Sequence, residues 1–122
     1  MSKVVLSEEE KKQFFKDFIV ALEQSIKSNK IADFLIDFFS DNEIDAFIKR
    51  LEVFKRLNMG QSYSKLNQEL SVSPITTSKV SKQLRDSSDS FRALLSDLSD
   101  KSTPTKTVQK EVQKQNKRDS YL

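Results

Sequence analysis

The chain has no histidine and no cysteine. The first absence removes the commonest general base and the commonest metal ligand together. The second removes disulfides, thiolate metal sites and thiol nucleophiles. A Ser-His-Asp or Cys-His catalytic site is therefore impossible within one chain. No phosphate-cradling glycine motif or carboxylate constellation replaces them, so no residue can be assigned a catalytic step, and an enzyme is not expected. No metal site is expected either. Glycine occurs once and proline twice, which leaves few breakers in a sequence rich in good helix formers. No stretch alternates apolar and polar residues long enough to read as a strand. Apolar runs are only a few residues long, too short to span a membrane. The start, Met1-Ser2-Lys3-Val4-Val5-Leu6-Ser7, passes at once into Glu8-Glu9-Glu10, without the apolar stretch of a signal peptide. A soluble, cytoplasmic protein is predicted.

Of the 122 residues, 36% are hydrophobic and 32% charged, a polar balance for a globular chain. The formal net charge is only +3, but it is unevenly placed. Residues 1–48 hold 6 Lys/Arg against 10 Asp/Glu, and residues 49–85 hold 8 against 2. Residues 86–99 hold 1 against 3, and residues 100–122 hold 6 against 3. Positive charge thus gathers in one central segment and at the C-terminal end, as in a protein that meets phosphates with one face.

The pattern predicts six helices. The first runs from Ser7 to about Ser28, with Ser7 and Glu10 spaced as a capping box. Its stripe is Phe15, Phe18, Leu22 and Ile26, widened by Phe14, Ile19 and Ala21. The second runs from about Asn29 to Phe39, with Ile31, Phe34, Leu35, Phe38 and Phe39 apolar. The third starts at Ser40 or Asp41 and ends near Met59, with Ile44, Phe47, Ile48, Leu51, Phe54 and Leu57 as its stripe. Gly60 stands where a left-handed residue after the helix is wanted. The fourth is short, about Ser62 to Leu70, opened by Ser62 or Ser64. Ser71-Val72-Ser73 makes a turn, and Pro74 starts the fifth at the position where proline costs nothing. The fifth reaches about Arg85, and the sixth spans about Ser90 to Leu98. Residues 1–98 then form one helical domain. Residues 99–122, poor in apolar groups and dotted with Lys101, Lys106, Lys110, Lys114, Lys117 and Arg118, read as a basic, mostly disordered tail, in which 105–117 could be transiently helical.

Two short helices joined by a tight turn, the second opening on proline, fit a helix-turn-helix between about residues 62 and 85. At 100° per residue Thr77, Val80 and Leu84 turn inward. The opposite face of the fifth helix carries Ile75, Ser78, Lys79 and Lys82, the side chains a major groove would meet. Ile75 suits a thymine methyl, Ser78 a base edge, and Lys79 or Lys82 a guanine or a phosphate. Ser62, Ser64 and Lys65 suit the phosphate backbone, and Ser73, Pro74 and Thr76 around the start of the fifth helix complete the expected DNA-binding set. The plainer alternative is a helical hairpin that only packs, with lysines on a solvated face. Ser71 in the turn, where glycine is common, and Thr77, where a larger apolar residue is common, speak for that alternative.

Asn42-Glu43-Ile44, Arg50-Leu51-Glu52-Val53, Gly60, Ser62-Tyr63 and the hairpin to Leu84 together resemble the Trp-repressor superfamily, over about residues 20–95. The likeness is closest to its YerC/YecD group. The resemblance implies an all-α, intertwined homodimer, which suits the phenylalanine-rich first three helices. It also implies a palindromic operator read by two helices about one turn of DNA apart. In Trp repressor itself two arginines flank a bound tryptophan. Arg50 aligns with the first, as the one candidate ligand-binding residue, but the second falls at Lys79 and the glycine after it at Val80. An ammonium does not stack on an indole as a guanidinium does, and Val80 fills space beside a ligand. L-tryptophan is therefore not expected as a corepressor, nor is any cofactor. Arg50 is expected instead to pair with a carboxylate such as Glu43 or Asp45, or to be solvated.

The leading expectation is a dimeric, sequence-specific transcriptional regulator, a repressor, whose partner is double-stranded DNA. The alternative is a helical interaction or adaptor module with only non-specific nucleic-acid affinity.

Overall fold

The computed structural model describes residues 5–101 and 117–122. The regular elements of the described residues are all helices, in the order α1 (Glu8–Lys27), α2 (Ile31–Phe38), α3 (Asp41–Asn58), α4 (Tyr63–Leu70), α5 (Pro74–Arg85), α6 (Asp89–Lys101) and α7 (Lys117–Tyr121). They group into two compact units, one of α1, α2 and α7 and one that begins at Asn42 and holds α3 to α6.

In the first unit α1 opens on the predicted capping box. The Ser7 hydroxyl accepts from the Glu10 amide at 3.1 Å and the Glu10 carboxylate accepts from the Ser7 amide at 3.1 Å. Asn29, expected to open the second helix, instead closes the first. It adopts φ 58°, its amide donates to Ile26 O at 3.1 Å, and the Lys30 amide donates to Ser25 O at 2.7 Å. Asparagine tolerates this left-handed position better than most residues, so α2 starts at Ile31. Phe18 of α1 packs against α2, its ring centroid 5.5 Å from that of Phe38 and 6.3 Å from that of Phe34. The predicted stripe of α1 is only partly covered. Phe18 and Leu22 are half-buried, whereas Phe14, Phe15 and Ile26 are exposed.

In the second unit Val53 and Phe54 of α3, Val72, Val80 of α5 and Leu95 of α6 form the core, with Leu57, Leu70, Leu84 and Phe91 packed on it. Phe54 and Phe91 meet edge to face at 5.2 Å, a favoured aromatic geometry. Leu66 of α4 is wholly buried. The predicted stripe of α3 divides: Ile44 and Phe54 are buried, while Phe47, Ile48 and Leu51 remain exposed. Gly60 ends α3 with φ 88°. The Gly60 amide donates to Leu57 O at 3.0 Å and the Gln61 amide to Arg56 O at 3.1 Å, the paired bonds of a Schellman ending.

α6 begins one residue earlier than expected, because the Ser88 hydroxyl accepts from the Phe91 amide at 3.2 Å. It also continues past Leu98 through Ser99 and Asp100 to Lys101. α7 is a seventh helix, inside the stretch read as tail. The remainder of that stretch, residues 102–116, lies outside the described residues, and so does nearly all of the segment read as transiently helical.

Candidate nucleic-acid interface

Each helix of the α4–α5 hairpin is started by a serine. Ser62 accepts from the Lys65 amide at 3.2 Å and Ser73 from the Thr76 amide at 3.2 Å. Such caps satisfy amides that the first turn leaves without partners. Pro74 then occupies the first position of α5, where its missing N–H is no loss. Between the helices, Ser71 takes the left-handed conformation with φ 53° and its amide donates to Asn67 O. Val72 drops into the core. The tight turn is thus made without glycine.

Thr77 is 0% exposed. Its hydroxyl donates to Ser73 O at 3.0 Å, so a polar side chain is buried there without an unmet hydrogen bond. Val80 beside it is buried and Leu84 half-buried, which fixes the inward face of α5 as the sequence predicts.

The outward face is then set by helix geometry. Ile75, 70% exposed, lines a shallow groove of about 450 Å³ together with Pro74, Ser78, Lys79, Lys82 and Arg85. α5 contains no carboxylate. Among the described residues Lys79, Lys82 and Arg85 form no ion pair. The face is therefore a basic stripe with one isolated apolar side chain. Arg85 was not singled out from the sequence, although it lies three residues beyond Lys82 on the same face, a spacing that could have found it.

The α4 residues surround the start of α5. Ser64, Tyr63, Asn67 and Gln68 share a hollow of about 270 Å³ with Pro74. Lys65 lies 4.0 Å from Glu69, an exposed contact at the limit of an ion pair and weak. Ser62, Ser73 and Thr76 are engaged in capping, and the Ser73 hydroxyl donates to Thr76 Oγ1 at 3.0 Å. Of these three residues, expected from the sequence to bind DNA, Ser73 and Thr76 also line the cleft against α3.

The hairpin is braced against α3 at three places. Arg56 donates from Nε to Glu52 at 2.9 Å and from Nη1 to Glu69 of α4. Burial alone would push the Glu52 carboxyl up, but hydrogen bonds from Arg56 and Lys55, with their charges, outweigh it and hold Glu52 below the usual carboxylate range. Arg56 is raised in turn, chiefly by the bond to Glu52. The Lys49 ammonium donates to Ser71 O in the turn at 3.4 Å. Finally, Arg50 donates from Nη2 to Gln83 Oε1 of α5, and its guanidinium lies 5.2 Å over the Phe54 ring, within cation–π range. Arg50 is thus neither merely solvated nor anchored by the carboxylates expected from the sequence; an amide and an aromatic face hold it.

Between α3 and the hairpin lies a cleft of about 500 Å³, whose lining includes Arg50, Val53, Val72, Thr76 and Val80. Lys79 does not line it and faces the outer groove instead.

Among the described residues no helix is long and apolar enough to cross a membrane, and no group of acidic residues is placed to hold a metal ion.

A short helix, a left-handed turn and a proline-started helix whose basic face no other described element covers define the helix-turn-helix class of DNA-binding regulators. Residues 13–99 match the family model described as Trp repressor protein. The chain belongs to the Trp repressor family, as the sequence resemblance implies. Comparison with curated proteins and with solved structures returns no match.

Proposed function

We propose that this chain is a sequence-specific transcriptional regulator, a repressor of the YerC/YecD group, acting in the cytoplasm as a homodimer on double-stranded DNA. One observation carries the reading: the outward face of α5 is exposed among the described residues, has no carboxylate, and presents Ile75 beside Lys79 and Lys82. A largely exposed isoleucine on this face fits contact with thymine methyls, while the lysines meet guanine edges or phosphates. Occupying an operator is the simplest way for such a protein to repress.

The exposed phenylalanines support the homodimer. Each unit by itself leaves large apolar surface exposed, Phe14 and Phe15 on α1 and Phe38 on α2 in the first and Phe47, Ile48 and Leu51 on α3 in the second, which is more than a small monomer usually keeps. A second copy would cover it, and two-fold symmetry would present two α5 helices to the duplex.

The reading includes no L-tryptophan corepressor. The residues present do not fit an indole held between two arginines. Arg50 is engaged by Gln83 and Phe54, Val80 occupies the cleft wall, and Lys79 lies on the outer face of α5.

Selection of bound duplexes from a random pool by the purified protein tests the proposal. A recovered palindromic consensus, bound at moderate salt, supports it. Recovery of unrelated sequences, all released together as salt rises, favours the adaptor reading, since phosphate attraction alone is strongly salt-dependent.

A further inference from the structure

α2 carries Asp33 and Asp37 one helical turn apart. Like charges at this spacing repel across one helix face. Asp37 also lies in the last turn of α2, which has no basic residue, where the helix dipole disfavours negative charge. Both effects call for a cation at the C-terminal end of α2. The chain supplies one from its far end: Arg118 of α7 bridges the pair, donating from Nη1 to Asp33 and from Nη2 to Asp37 at 2.8 Å. Three residues on, the half-buried Tyr121 donates from its hydroxyl to the backbone oxygen of Asp41 at 3.1 Å. α7 is therefore seated on α2 by one forked ionic contact and one hydrogen bond.

The contact is well placed but weak. The Arg118 and Asp33 side chains are about half-exposed and Asp37 more so. Exposed ion pairs contribute little and are screened by salt. A duplex, with one phosphate charge per roughly 1.7 Å of axis, is a stronger competitor for a guanidinium than two carboxylates.

We propose that Arg118 works as an electrostatic latch. It closes on the Asp33–Asp37 pair of its own chain when no polyanion is present, and it exchanges that pair for DNA phosphate when a duplex binds. The two carboxylates stand in for phosphates and hold back one cation from indiscriminate binding. The exchange rests on the DNA-binding reading above; the latch itself does not.

The chain has no cysteine, so Leu122→Cys gives a single site for a nitroxide label. At low salt the label is expected to broaden the amide NMR signals of residues 33–41. Arg118→Ala, Asp33→Asn with Asp37→Asn, or ~0.5 M salt should each restore them. No broadening in the labelled protein, or broadening that Arg118→Ala leaves intact, would overturn the latch. Broadening found only between labelled and unlabelled copies in a mixed sample would overturn its assignment to one chain. These arms need no nucleic acid, so they stand apart from the DNA-binding reading. An unrelated duplex of about 20 base pairs should then restore the signals, and the double Asn variant should bind that duplex about two- to five-fold more tightly, with a salt slope steeper by about one. The gain should shrink in an Arg118→Ala background. A gain of equal size there, or broadening that survives saturating duplex, overturns the exchange.

Discussion

The guanidinium of Arg50 on α3 is held between the Phe54 ring and the side-chain oxygen of Gln83 on α5. This ties the outer helix of the hairpin to the core helix at the position where the family resemblance places a ligand contact. Gln83→Ala leaves the guanidinium its contact with Phe54 but no partner on α5. Hydrogen bonds to charged groups contribute about 1.5–3 kcal/mol, less when exposed as this one is. A loss of about 0.5–1.5 kcal/mol in urea unfolding is expected. The same variant should bind DNA without gaining any response to added L-tryptophan, which a calorimetric titration checks.

Ser71 keeps φ 53° without being glycine. A non-glycine residue in that conformation is strained by about 1 kcal/mol, and glycine is not. Ser71 is exposed, and the bonds of its amide and carbonyl are unaffected by the side chain. Ser71→Gly is therefore expected to raise stability by about 0.5–1 kcal/mol, read as a higher thermal midpoint.

The depressed Glu52 carboxyl gives the fold an acid limit. Its folded pKa lies below its unfolded value, so its contribution is fully present above the unfolded value, about pH 4.3, and is lost as pH falls through the folded value. Unfolding measured from pH 6 to 3 should show stability dropping below that point. Glu52→Gln should be less stable at neutral pH and should flatten part of the drop. An identical pH profile in the variant would show that Glu52 has no share in it.

The exposed aromatic residues of α1 give a prediction about assembly. Sedimentation should show a dimer at micromolar concentration. Phe15→Glu with Phe14→Ser should shift it to monomer with helical content largely retained, because both side chains are exposed within one chain.

Most helix boundaries were legible because their signals are local. The Ser7–Glu10 box, Gly60, and Ser73 followed by Pro74 each fix an end through bonds within one turn. The inward and outward faces of α5 followed from periodicity alone. Asn29 was misread as a start because its left-handed tolerance does not show in an apolar pattern. The partner of Arg50 was out of reach because Gln83 lies 33 residues away, and nothing local distinguishes an amide partner from a carboxylate. Thr77 looked like a defect until its hydroxyl was placed on Ser73 O. α7 was hidden in a polar stretch, since its docking depends on two aspartates more than 80 residues earlier.

If the outer face of α5 reads DNA, the side chains on it set the affinity. Affinity for the sequence selected from random DNA should be measured by anisotropy for the parent chain, Ile75→Ala and Lys79→Ala. Each substitution is expected to weaken binding by about 1–3 kcal/mol, roughly 5- to 150-fold, with thermal midpoint and sedimentation unchanged. Affinity equal to the parent's in both variants would show that this face does not read DNA.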